Sequence, residues 1–125
     1  MRQIEQDIVQ AVRNGAELHL GTSSSYVPSS DCYRDSLHFE NNNFSYRLWG
    51  NEIAKGNTQA KEIKVSDCGY ATATTVSRLN ALFAGLDIPA SASVRKGKVI
   101  YKVHGNPVEP GMFHYYADDW HVTIK

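Results

Sequence analysis

The sequence has no excess of charge of either sign. Lys and Arg number 13, Asp and Glu also number 13, and the isoelectric point is near 7.0. A protein that wraps duplex nucleic acid is usually strongly basic, and a mimic of nucleic acid strongly acidic. Neither whole-chain strategy operates here, although local patches are not excluded. Cysteine is scarce. Cys32 and Cys68 are the two present, and both are expected as free thiols in a reducing compartment. One disulfide between them is arithmetically open, and spacing alone does not decide it. No apolar run approaches the ~20 residues of a membrane span. The first segment, MRQIEQDIVQAV, is too polar for the apolar core of a signal peptide. The expectation is a cytoplasmic chain with no membrane partner. Catalytic signatures are missing too: there is no HExxH, no CxxC and no internal repeat. No enzymatic activity, cofactor or metal is therefore expected.

What is present is periodicity. The chain has 125 residues, enough for one domain that buries a core without staples. Ile4, Ile8, Val9 and Val12 fall at helical spacing, predicting an amphipathic helix over about 2–14 that ends at Asn14-Gly15. Ala16 to Leu20 reads as a short strand. Gly21 to Asp35, with its Ser cluster and Pro28, reads as a long loop or a broken polar edge strand.

Alternation then takes over. Leu37 and Phe39 pair with Phe44, Tyr46 and Leu48 across Asn41-Asn42-Asn43, a hairpin. Gly50-Asn51 reads as a two-residue turn into Glu52-Ile53-Ala54, and Ile63-Lys64-Val65 follows. Val76, Leu79, Leu82, Phe83 and Leu86 form a helical stripe, capped by Thr74 or Thr75 and stopped near Gly85. Ala92 to Arg95 and Val99 to Val103 make a second hairpin about Lys96-Gly97, and Trp120, Val122 and Ile124 end the chain as a strand over about 119–124. The sum is a single α+β domain: one antiparallel meander packed by one or two amphipathic helices, with its core over about 36–104.

Two segments carry a resemblance. They are Tyr46-Arg-Leu-Trp-Gly-Asn-Glu-Ile-Ala54 and Ser66-Asp-Cys-Gly-Tyr-Ala-Thr-Ala-Thr-Thr-Val-Ser-Arg-Leu-Asn80, followed by the basic hairpin Val94 to Tyr101. The pattern YxLxGNxIA, then SxxGYxTxTTxxRLN, resembles small uncharacterised tailed-phage and prophage accessory proteins. The resemblance covers roughly Leu37 to Tyr101. It implies a phage protein acting in the bacterial host cytoplasm on a host factor, with inhibition of a defence system as one role such proteins take. It brings no catalytic residue with it.

The candidate sites follow from residue chemistry. Trp49, Tyr26, Tyr115 and Tyr116 sit near loops and strand ends, and exposed aromatics are frequent binding anchors. A protein-binding surface joining the Trp49 face, the Ser-rich loop Thr22 to Ser30 and the Tyr115-Tyr116 segment is the first reading. A second small core would use the same residues structurally. Homo-oligomerisation through an uncovered face or edge is a further expectation. The alternative partner is nucleic acid or a nucleotide. Thr74, Thr75 and Arg78 at a helix start would hold an anion, and Arg95, Lys96, Lys98 and Lys102 form a basic ribbon. Tyr101 sides with Val99 and Val103, so that ribbon has no stacking aromatic. A third reading is a metal-dependent hydrolase using His114, Asp119 and His121, against which no third ligand stands at diagnostic spacing. Cys68 beside Gly69 reads as a small buried residue at a turn.

Overall fold

The computed structural model describes residues 3–22, 33–108, 113–117 and 119–124, of which 19–22, 33 and 113–117 are described by their backbone alone. Helix α1 (Gln3–Asn14) buries Ile8, Ala11 and Val12, the stripe its periodicity predicts. Its C-terminus closes with Ala16 N–H to Ala11 C=O (2.9 Å) and Gly15 N–H to Val12 C=O (3.2 Å), the two bonds of a Schellman motif.

Five strands follow: β1 (Leu18–Thr22), β2 (Tyr33–Glu40), β3 (Asn43–Leu48), β4 (Asn51–Asn57) and β5 (Glu62–Val65). Helix α2 (Ala73–Gly85) comes next, then β6 (Ala90–Arg95), β7 (Lys98–Val103), β8 (Asn106–Val108), β9 (Phe113–Ala117) and β10 (Trp120–Ile124). The α+β class is as the pattern predicts, but the strands divide between two sheets. The larger has seven strands in the order β1-β2-β3-β4-β5-β10-β9, and β6-β7-β8 form the smaller. Within the larger sheet β10 runs parallel to β5, while β9 returns antiparallel to β10. A parallel neighbour needs a long crossover. Helix α2 and the whole small sheet supply it.

The alternation sets the faces. Leu37 lies opposite Tyr46 and Phe39 opposite Phe44. Ile53, Ile63, Val65, Val122 and Ile124 join them in one core with Leu79, Leu82 and Phe83 of α2. Val99, Tyr101 and Val103 bring the small sheet into the same core. Gly85 does more than stop α2. A Cβ there would stand 3.1 Å from the Val12 side chain, so its absence lets the two helices approach. The left-handed residue of this terminus is Asp87, at φ 57°.

Two side chains of the Arg78-Leu79-Asn80 triplet tie α2 to both sheets. The Arg78 Nε donates to Asp35 Oδ1 of β2 at 2.8 Å. The Asn80 amide donates to Ala92 C=O (2.8 Å) and accepts from Ala92 N–H (2.7 Å), a two-point clamp on β6. The helix is thus the common support of both sheets, with Leu79 between the clamps fully buried.

Boundaries in the first two hairpins differ from the sequence pattern. Strand β2 begins at Tyr33, inside the stretch read as loop. The turn between β3 and β4 is Trp49-Gly50, one residue earlier than predicted, with Leu48 facing Asn51. Residues 23–32, and with them Tyr26 and Cys32, lie outside the described residues.

Candidate functional site

The β3–β4 turn places Trp49 at φ 52° and Gly50 at φ 80°. Two successive positive values make a type I′ turn, whose twist suits a hairpin and whose usual sequence is Asn-Gly. A bulky side chain in this left-handed region is an outlier. It holds Trp49 away from the core and 56 % exposed. The Trp49 N–H anchors the tip by donating to Arg34 C=O of β2 at 2.7 Å.

The loop after β5 forms the facing wall. Ser66 N–H donates to Ile53 C=O at 2.8 Å, and the Cys68 thiol donates to Glu52 C=O at 3.2 Å. Both bonds fasten the loop to β4. Asp67 Oδ1 accepts from Gly69 N–H (2.9 Å), and Asp67 C=O accepts from Tyr70 N–H (2.8 Å). This closed turn presents Tyr70, 58 % exposed. The chain then enters α2 through Thr72, whose Oγ1 accepts from Thr75 N–H at 3.2 Å. The cap is therefore Thr72, ahead of the expected Thr74 or Thr75, because the helix starts at Ala73, two or three residues sooner.

Trp49 and Tyr70 line one cavity of about 450 Å³, together with Leu48, Ile53, Asp67 and the threonines at the start of α2. Among the described residues the only other exposed large apolar side chain is Val94, at 38 %. Among the described residues the two most exposed aromatics thus line one concavity, on a floor of core side chains. Pockets that bind are typically apolar with a few placed polar groups.

Directly behind this cavity lies a buried ionic cluster. Asp35 has no exposed surface, Arg78 is 4 % exposed, and Tyr46 is fully buried. Tyr46 Oη donates to Asp35 Oδ1 at 2.6 Å, and Arg34 Nε donates to Asp35 Oδ2 at 2.6 Å. Burial works to raise the Asp35 pKa, but the hydrogen bonds from Arg78, Tyr46 and Arg34 outweigh it, and the carboxyl is held below its ordinary 3.8. Burial, reinforced by the Asp35 charge, pushes the Tyr46 phenol up, so it stays a donor. Asp35 is opposite Leu48, and Arg78 follows Thr75 by one turn of α2. The cluster therefore fixes both walls of the cavity without entering it.

The structure brings together two groups that the sequence kept apart, Trp49 and the Thr74-Thr75 helix start. Arg78 is elsewhere engaged, its guanidinium turned inward to Asp35. Tyr115 and Tyr116 belong to the edge strand β9, where Tyr115 is in register with Val122 and Tyr116 with His121; their side chains lie outside what is described. Tyr26 lies outside the described residues. Arg95, Lys96, Lys98 and Lys102 are all exposed on the small sheet, with Tyr101 buried beneath them. Asp119 is exposed and 3.4 Å from Lys61, whereas His121 faces a different concavity, of about 580 Å³, with His38, Lys55 and Lys64. Among the described residues no three His, Cys, Asp or Glu are placed to hold a metal ion, and no helix is long and apolar enough to cross a membrane.

Sequence reasoning missed Tyr70 and Asp67 as site residues. The available signal was an aromatic placed off the α2 stripe, between a Cys-Gly turn and a capping threonine. Comparison with known proteins adds one match. The model of a family described as Kyanoviridae Gp96 protein matches residues 1–121. No curated protein and no solved structure matches the chain.

Proposed function

We propose, from the premise that the chain belongs to the Kyanoviridae Gp96 protein family, that this phage protein is a non-catalytic binding module. It docks a protein of the host in the cavity between Trp49 and Tyr70. The observation that carries the reading is the pairing itself: two aromatic side chains, each more than half exposed, flank one apolar-floored cavity on a loop and a turn that are both tied down. Exposed Trp and Tyr over a desolvating pocket are where binding energy concentrates. Holding them in place beforehand lowers the ordering cost of association. The blunting of a host factor, including a defence system, is the role this reading favours.

Affinity capture from host lysate, with and without nuclease, tests it. One stoichiometric host protein should survive nuclease. Tyr70→Ala should weaken its capture roughly tenfold while leaving the melting temperature unchanged, because the ring is solvent-exposed. Full capture by Tyr70→Ala together with full capture by a Trp49 variant sinks the proposed surface.

A second reading rests on the small sheet. Arg95, Lys96, Lys98 and Lys102 are exposed on one hairpin, and the ion pairs of the described residues involve none of them. Such a ribbon would track phosphates. If it does, affinity for single- or double-stranded oligonucleotides should fall steeply between about 50 and 200 mM salt. Lys98→Gln with Lys102→Gln should then flatten that slope. Binding that is insensitive to salt removes this reading.

A further inference from the structure

Among the described residues the docking cavity is lined by a single formal charge, and it is negative. Of its nine lining residues Asp67 is the one acid, and none is Lys, Arg or His. The start of α2 opposes it with the partial positive charge of a helix N-terminus, worth about half a unit. That end is already partly quenched. Thr72 Oγ1 takes the Thr75 N–H, one of the donors that the first turn leaves free. Arg78, the nearest cation along the helix, is spent on Asp35. The cluster behind the cavity holds two arginines against one aspartate, but neither arginine lines the cavity, and Asp67 is the one charged side chain lining it among the described residues.

The walls act in the same direction. Indole and phenol rings carry a negative face that attracts ammonium and guanidinium groups. Trp49 and Tyr70 supply both kinds of ring at the cavity mouth. An anion placed there would meet the Asp67 carboxylate with no cation among the described lining residues to offset it, and a purely apolar group would leave that carboxylate only the Gly69 N–H as partner.

Resting on the docking reading above, we infer that the group inserted between Trp49 and Tyr70 is a basic side chain of the partner protein, held by Asp67. Arginine suits it better than lysine, because a planar guanidinium stacks on an aromatic ring and pairs with a carboxylate at once. The partner therefore presents an exposed arginine on a protruding loop or terminus, and the surface it offers is basic.

Tryptophan emission provides the test, since the second tryptophan, Trp120, is 7 % exposed and serves as an internal reference. The probes are four blocked tripeptides, Gly-Xaa-Gly with Arg, Lys, Leu or Glu at the centre, titrated at low salt into the full chain. The Arg peptide should perturb the emission saturably, at least fivefold more tightly than the Glu peptide, with Lys between (roughly the reach of one cation–π and one carboxylate contact). Asp67→Asn keeps the Oδ1 acceptor for Gly69 and hence the turn. It should reduce Arg-peptide binding roughly fivefold with an unchanged melting temperature. Equal or tighter binding of the Leu or Glu peptide overturns the cationic occupant and leaves the docking site standing. Absence of any saturable Arg response also overturns it. If host-protein capture is in addition indifferent to Trp49 and Tyr70, the docking reading falls as well.

Discussion

Asp35→Ala is expected to remove about 3–5 kcal/mol of folding stability, a large part of the ~5–15 kcal/mol that a domain typically has. The substitution deletes the counter-ion of Arg78, which is 4 % exposed, and the acceptor of Tyr46 Oη. An uncompensated buried guanidinium and an orphaned buried phenol would remain. Asp35→Asn keeps the shape and one acceptor but not the charge, and should fall between Ala and the wild type. Tyr46→Phe removes only one donor and should cost about 1–2 kcal/mol. A buried pair is worth less than its single deletions imply, so Asp35→Leu combined with Arg78→Met should be markedly more stable than the sum of the two single losses. Urea unfolding midpoints for these four variants and for the two single substitutions, Asp35→Leu and Arg78→Met, check this. A cost below about 1 kcal/mol for Asp35→Ala would contradict the burial and charge described here.

The same carboxyl gives the acid behaviour a sign. Its pKa in the fold lies below the ordinary 3.8, so the folded state favours the charged form. The stabilisation is complete above that ordinary value and is lost as pH falls through the lower, folded one. The wild type should therefore lose stability progressively below about pH 4. Asp35→Asn, already destabilised, should show a shallower acid limb. Tyr46 and Arg34 act in the same cluster, so removing either donor should move the acid limb of the wild type upward in pH.

This cluster also marks where the sequence stopped being legible. Tyr46 and Arg78 stand inside the two segments that carry the phage-protein resemblance, and both were visible as residues. Their shared partner was not. Asp35 keeps the parity of Leu37 and Phe39, so it is the inward position of β2. An acid at an inward position breaks the alternation that announces a strand, and the Ser-rich stretch before it lowered the signal further. The pair also spans 43 residues of chain, which no local rule reaches. By contrast α1, the Phe44-Tyr46-Leu48 strand and the basic hairpin were readable, because their burial follows periodicity alone. The division into two sheets was not readable. The small sheet is tied to α2 by Asn80 holding the Ala92 backbone, a contact made by an ordinary polar residue. The site was half legible. An exposed Trp beside a turn was one of two open readings, the other being a second small core, and Tyr70 and Asp67 join it only through the bonds that fasten the 66–72 loop to β4.

Trp49→Asn should separate stability from function, with effects of opposite sign. The native turn holds an indole-bearing residue at φ 52°, a conformation costing L-residues roughly 1–2 kcal/mol. Asparagine tolerates that region, and Asn-Gly is the preferred type I′ pair. The gain is offset in part by the fraction of the ring that rests on the cavity wall. A net stabilisation of about 0.5–1 kcal/mol is expected, read as a higher urea midpoint at unchanged slope. Partner affinity should move the other way, dropping by about 2 kcal/mol or more, which is ~30-fold, as for an aromatic hot spot. A scaffold residue cannot give this result, since its loss weakens fold and binding together. A destabilised Trp49→Asn with intact binding would make the indole part of the core packing and move the docking surface elsewhere. A stabilised variant that no longer binds would mean that the strained turn is retained for the ring it displays.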